Sequence, residues 1–174
     1  DNLRQQSAIW QAMLLSAGLP PSKQIFIHGF LTVNGQKISK SLGNTVDPIA
    51  TAKTYSTDGL RYFLLREIPF GKDGDFSEKA LIVRYNTELA NDLGNLVSRI
   101  LTLAEKRGSS IKKAALDKKL IEKLDVNGIE ENIERLELHA ALQLVWKFIA
   151  EINKLITESK PWEMEEEKAK KQLY

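Results

Sequence analysis

Downstream of Asp47 the apolar residues recur at spacings of three and four, and no two-residue alternation interrupts them. That period gathers side chains on one stripe of a helix rather than one face of a strand, so most of the chain is expected to be helical. The clearest stripe is Leu138, Leu142, Val145, Ile149, Ile152 and Ile156, the face a helix bundle buries. One stretch reads differently. "QIFIHGFLTV", residues 24–33, is rich in β-branched and aromatic residues and predicts a buried strand. Before it, Leu3, Ile9, Trp10, Met13 and Leu14 predict a helix over 3–17, stopped at Gly18 and "LPP". After it, Asn34-Gly35 predicts a type I′ turn that folds the chain back before a lysine-rich loop.

Further along, Asp47-Pro48 predicts an N-cap followed by proline at the first helical position. A second helix is expected over "TDGLRYFLLREI", and "PFGKDGD" reads as a connector. Ser77 is expected to cap a long helix that runs to about Lys106 and stops at Gly108. A basic link, "SSIKKAALDKK", leads to a short helix near 117–124 and a helix-turn-helix over about 129–159. The expected class is therefore mainly α: the remnant of an α/β domain, then a helical bundle. Trp10 and Trp146 lie in apolar stripes and are expected in cores. Trp162 follows Pro161 at a helix end, where an indole is left at the surface.

The bulk numbers narrow the partners. With 174 residues and 43% hydrophobic content the chain can bury a core. A net charge of +2 does not by itself argue for nucleic acid, so any basic patch must be local. Absence of Cys excludes disulfides and thiolate metal sites within these residues, and two histidines are too few for a metal centre. No apolar run reaches membrane-spanning length, and a cytoplasmic setting is compatible with this composition. The chain opens without Met and ends at "KAKKQLY" without closing turn residues, so it is expected to be a piece of something larger.

The loop "GQKISKSLGN" carries Lys37, Ser39, Lys40 and Ser41 between Gly35 and Gly43. Gly, Ser, Asn and Lys are also what any exposed turn contains. The alternative is a cationic loop for phosphates: an ammonium group suits oxygens whose charge changes in a reaction. A well-placed donor of that kind contributes about 2–4 kcal/mol to a transition state.

"KISKS" differs by one residue from the Lys-Met-Ser-Lys-Ser signature of class I aminoacyl-tRNA synthetases, and its surroundings resemble the methionyl-tRNA synthetase family. The resemblance covers "SAIWQAMLLSAGLPPSKQIFIHGFLTVNGQKISKSLGNTVDP", "TDGLRYFLLRE", "ELANDLGNLVSRI" and "KPW", and so most of the chain. It implies division into residues 1–50, the end of a class I catalytic domain, 51–76, connecting helices, and 77–174, an anticodon-binding bundle. It also implies a reaction in which methionine attacks ATP, helped by Mg²⁺, and the methionyl group then passes to tRNA(Met). Lys40 would neutralise the departing pyrophosphate, with Lys37, Ser39 and Ser41 in support. Ile38 would anchor the loop. His28 and Gly29 resemble the strand end beside the adenosine, although His28 reads equally as a hydrogen-bonded core histidine.

For RNA the resemblance implies Asn95, Arg99 and Trp162 as the anticodon readers. On residues alone, Asn91, Asn95 and Arg99 are also the solvated stripe of an amphipathic helix. Single-stranded bases are read by stacking on aromatics and hydrogen bonding at their edges, which suits an Asn, an Arg and an indole. Two departures stand out. The family's His-Ile-Gly-His signature and zinc-bearing insertion do not occur here, so any zinc is expected outside these residues. Leu3-Arg4-Gln5-Gln6 stands where many family members read Leu-Arg-Phe-His, so Gln6 takes the place of a His that helps line the methionine pocket. Asp58 and Arg61 are expected to be structural joints. Arg66, Lys72, Lys106, Arg107, Lys112 and Lys113 are phosphate contacts or ordinary solubilising charges. The alternatives to a ligase segment are a non-catalytic tRNA-binding module, another class I synthetase (leucyl, isoleucyl, valyl or cysteinyl) and a helical adaptor.

Overall fold

A computed structural model describes residues 2–39, 41, 43–106 and 118–163. The first helix, α1 (residues 2–16), widens at Gln5–Ile9, where the Trp10 N–H donates to the Gln5 carbonyl, five residues back. It ends where the sequence says: Gly18 takes φ +71° and the Leu19 N–H closes the last turn on the Leu14 carbonyl at 2.9 Å. Its apolar residues are not a core. Leu3, Ile9, Trp10, Met13 and Leu15 are all exposed, which corrects the expectation that Trp10 is buried. A stripe with helical spacing gives a helix its face but not the surface that covers it.

The expected strand is mostly unpaired. Only Leu31–Val33 (β1) forms a ladder, and Phe26, Ile27 and Phe30 are exposed. A buried strand needs neighbours on its edges and layers on its faces, and residues 24–30 find few among the described residues. β1 turns through Asn34 (φ 51°) and Gly35 (φ 74°) into Gln36–Lys37 (β2), with Thr32 opposite Lys37. Positive φ at both central residues is the type I′ geometry expected of Asn-Gly.

A third strand was not expected. Gly74–Phe76 (β3) pairs parallel with β1, Val33 opposite Phe76, giving the order β2-β1-β3. Three residues including Gly and Asp carry no strand signal, and the pairing comes from tertiary contact rather than propensity.

Two helices cross between these strands. Pro48–Tyr55 (α2) is capped by Asp47, whose carboxylate accepts from the Ile49 and Ala50 N–H groups. Thr57–Glu67 (α3) is capped by the Ser56 hydroxyl. Val33, Leu60, Phe63, Phe76 and Leu81 form the first core, with Phe63 edge-on to Phe76 at 5.7 Å.

The long helix α4 spans residues 78–106, capped by Ser77. It widens over Tyr85–Gly94, and the Asn95 N–H reaches back to Ala90 before regular winding resumes. Lys118–Ile121 (α5) and Val126–Glu134 (α6) follow, α6 starting earlier than its periodicity suggested. Leu138–Ser159 (α7) packs on α3, α4 and α6. Its Ile149 and Ile156 join Leu96 in a second core, flanked by Ile100, Val145, Trp146 and Ile152. The described chain is thus mainly helical with one small mixed sheet. Gly108, Arg107, Lys112, Lys113 and the basic link up to residue 117 lie outside the described residues.

Candidate functional site

The lysine loop is held from both sides. Asp75 on β3 receives the Gly35 N–H at 2.7 Å and the Thr32 hydroxyl at 2.6 Å, which fixes the hairpin turn. These two donors, the hydroxyl first, hold the Asp75 carboxyl below its ordinary range. Across the loop, Asn44 accepts the Ser39 N–H at 2.8 Å and donates to the Lys37 carbonyl at 3.0 Å. One side chain thereby ties the two legs together. The Ser39 and Ser41 hydroxyls lie 2.8 Å apart. Ile38 packs on the first core, as expected of an anchor, while Lys37 is exposed. Lys40 lies outside the described residues.

His28 is exposed, with Nδ1 2.8 Å from the Gly29 carbonyl, so it is not a core histidine. It lines an open hollow of about 430 Å³ with Leu3, Gln6, Ile25 and Phe30, between the start of α1 and the extended run. Gly29 is there for space. A Cβ on it would lie 2.1 Å from the Lys72 carbonyl oxygen.

Of the other predicted constellation, Arg99 and Trp162 are brought together. The Arg99 guanidinium carbon lies 5.8 Å from the Trp162 ring centroid. Asn95 is one turn before Arg99 on α4 and exposed; Asn91, also exposed, belongs to the widened stretch. Wide turns of this kind inside α-helices often mark functional positions. At the end of α7, Lys160 adopts a left-handed conformation (φ 43°) and its N–H caps Ile156. Pro161 is buried and turns the chain, leaving the indole of Trp162 46% exposed beside Arg99. A flat ring with a cation beside it can hold a splayed base by stacking and by hydrogen bonds from the guanidinium to the base edge.

Several expectations need correction. Arg66 is no phosphate contact: its side chain is 13% exposed and bonds Glu88 at 3.2 Å. Asp58 and Arg61 are not joints, being highly exposed and 4.0 Å from one another. What joins α3 to α4 is a charged cluster of which the sequence had singled out only Arg66, and for another role. Glu88 accepts from Tyr62, Arg66 and Arg84, and Arg84 also pairs with Glu67 at 2.7 Å. Burial, and then the Glu88 hydrogen bond, push the Tyr62 phenol well above its ordinary range. The spacing of Arg84 and Glu88 was its one sequence signal. Asn44 and Asp75 were also missed.

A family model described as tRNA synthetases class I (M) matches residues 1–101. The methionine–tRNA ligase of Thermotoga maritima is 47% identical over 166 residues, 91% of this chain and 26% of that protein. The chain belongs to the methionyl-tRNA synthetase family. A second methionine–tRNA ligase, from Caldanaerobacter subterraneus subsp. tengcongensis, is 42% identical over 97% of this chain and 28% of its own length. Among solved structures, the methionyl-tRNA synthetase of Mycobacterium tuberculosis in complex with methionyl-adenylate aligns at TM-score 0.86 with 37% identity. That alignment covers 98% of this chain and 36% of the synthetase chain. This family member therefore spans about a quarter of the length of its curated relatives. Among its described residues no helix is long and apolar enough to cross a membrane.

Proposed function

We propose that this chain is the segment of a methionine–tRNA ligase that supplies the phosphate-facing loop and reads the anticodon. Residues 1–50 would close the catalytic domain, 51–76 connect, and 77–174 form the anticodon-binding bundle. In the first step the methionine carboxylate attacks the α-phosphorus of Mg²⁺-bound ATP. A carboxylate–phosphorus bond forms, the bond to the bridging oxygen breaks, and pyrophosphate leaves with the electron pair. Lys40 meets the charge that develops on the leaving group, where a preplaced cation acts without reorganising. Lys37, Ser39 and Ser41 shape that cradle, and His28 and Gly29 lie towards the adenosine. On this reading the chemistry also needs the His-Ile-Gly-His half, supplied by residues not in this sequence. In the second step a hydroxyl at the 3′ end of tRNA(Met) attacks the methionyl carbonyl, an ester bond forms, the acyl–phosphate bond breaks and AMP leaves with the electron pair.

The observation that carries the reading is Arg99 over Trp162, 5.8 Å apart, because the solvated-stripe alternative gives no reason for a half-exposed indole beneath a guanidinium. The test compares tRNA bearing a CAU anticodon with one altered at the first anticodon base, bound to this chain and to its Trp162→Ala variant. The native chain should prefer CAU and the variant should lose that preference. Equal affinities throughout defeat the assignment. For the loop, Lys40→Ala in the complete enzyme should slow adenylate formation with methionine affinity nearly intact, and a normal rate refutes the role given to Lys40.

A further inference from the structure

Glu88 is the one buried charged residue among those described, 8% exposed, and the reading above leaves it idle. Its Oε2 accepts from the Tyr62 hydroxyl, while its Oε1 accepts from Arg66 at 3.2 Å and from Arg84 at 2.7 Å. Arg84 in turn bonds Glu67 at 2.7 Å, so two guanidinium groups balance two carboxylates and the buried charge is tolerated. What this cluster connects is informative. Tyr62, Arg66 and Glu67 belong to α3, the helix whose Leu60 and Phe63 sit on the signature-loop core. Glu88 belongs to the widened stretch of α4, upstream of Asn95 and Arg99 on the same helix. The Tyr62 ring also lies 4.6 Å from that of Trp146 on α7, the helix that ends at Trp162. A second tie, the Asn153 amide on the Asp92 carbonyl at 3.1 Å, joins α7 to the same stretch.

We propose that Glu88 is a positioning residue for anticodon-dependent charging. Through Tyr62 and Arg66 it fixes the angle at which the helix bearing Asn95 and Arg99 leaves the signature-loop core, and through Tyr62 on Trp146 it registers the helix that presents Trp162. Apolar side chains alone permit neighbouring packings of similar energy. A carboxylate that must satisfy three donors on two helices permits one. The inference rests on the anticodon reading above and extends it from the contact residues to the element that aims them.

The test uses the complete synthetase carrying this chain, with Glu88→Gln and Tyr62→Phe as variants. Tyr62→Phe removes one donor and leaves both arginine bonds, so it decides the matter if Glu88→Gln does not fold. Two activities are read: pyrophosphate exchange with ATP and methionine without tRNA, and charging of tRNA with a CAU or a first-base-altered anticodon. Exchange should keep its kcat and KM. Charging of the CAU tRNA should fall roughly three- to thirty-fold in kcat/KM, and the preference for CAU over the altered tRNA should shrink. Equal losses in exchange and charging, or an unchanged preference in a folded variant, overturn the proposal. A parent enzyme with no preference for CAU overturns the anticodon reading itself. A parent that discriminates beside variants that discriminate equally overturns only the role of Glu88.

Discussion

Arg99, on the regular part of α4 beyond its widened stretch, and Trp162, just past the end of α7, meet as cation over ring at 5.8 Å. The contact orients the guanidinium and the indole against one another. An exposed pair of this kind is worth about 0.5–1 kcal/mol on its own, whereas stacking a base on an aromatic is worth about 1–3 kcal/mol. Trp162→Ala should therefore weaken tRNA binding more than the pair's own energy explains. The Arg99→Ala and Trp162→Ala losses should also not add, because each removes part of what the other does. A double-mutant cycle on tRNA affinity checks this, and strict additivity would rule out joint action on one base.

Asn44 makes a different kind of claim, since its hydrogen bonds among the described residues go to backbone. Its side chain accepts from Ser39 and donates to Lys37, closing the base of the lysine loop. Each such bond is worth about 0.5–1.5 kcal/mol net, too little to unfold the protein and enough to loosen the loop. In the complete enzyme Asn44→Ala should raise the KM for ATP and slow pyrophosphate exchange about tenfold or more, because small misplacements of a charge-stabilising group are costly. Asn44→Asp keeps the acceptor for Ser39 and loses the donor to Lys37, so it should fall between. Unchanged exchange kinetics in Asn44→Ala would show that the tie does not position the loop.

Much of this was legible in the sequence where a residue's own backbone preference decides. Asn34-Gly35, Asp47-Pro48, Ser77 and Gly18 each fixed a turn, cap or stop that the structure repeats. What was misread depends on a partner surface. Residues 24–30 and α1 carry the apolar content of buried elements, yet Phe30 is 70% exposed and Trp10 45% exposed. Burial is a property of two surfaces, and periodicity describes one. β3 was missed for the same reason, its three residues becoming a strand only because β1 lies beside them. In the candidate site, the residues that would touch ligand were named by motif. Asn44 and Asp75, which bond the backbone of the lysine loop and its hairpin, and Glu88, which joins α3 to α4, were not, because Asn, Asp and Glu in a sequence look alike whether they bond water or a neighbouring group.

Gly29 separates packing from ligand binding. A methyl there would press on the Lys72 carbonyl at 2.1 Å, and the atoms on that side are backbone that cannot swing away. Gly29→Ala should destabilise the fold by about 1–3 kcal/mol or more, as overpacking does. It would appear as a lower denaturant midpoint in this chain without ATP. A variant with a native midpoint but weakened ATP binding in the complete enzyme would mean that glycine is needed for the nucleotide instead.

Asp75 gives the hairpin a predictable response to acid. The Thr32 hydroxyl, and then the Gly35 N–H, favour its charged form, so its carboxyl titrates below the ordinary Asp value in the folded state. A carboxyl depressed in this way stabilises fully at pH above its unfolded value, about 3.9, and the contribution disappears as pH falls through the lower folded value. Protection of the Gly35 amide, followed by hydrogen exchange after correction for the intrinsic rate, should hold steady through neutral pH and drop only below roughly pH 4. In Asp75→Asn the amide should be less protected at neutral pH, and the acid step should be gone. An acid step that survives this substitution would assign it to another carboxyl and remove Asp75 from control of the turn that leads into the lysine loop.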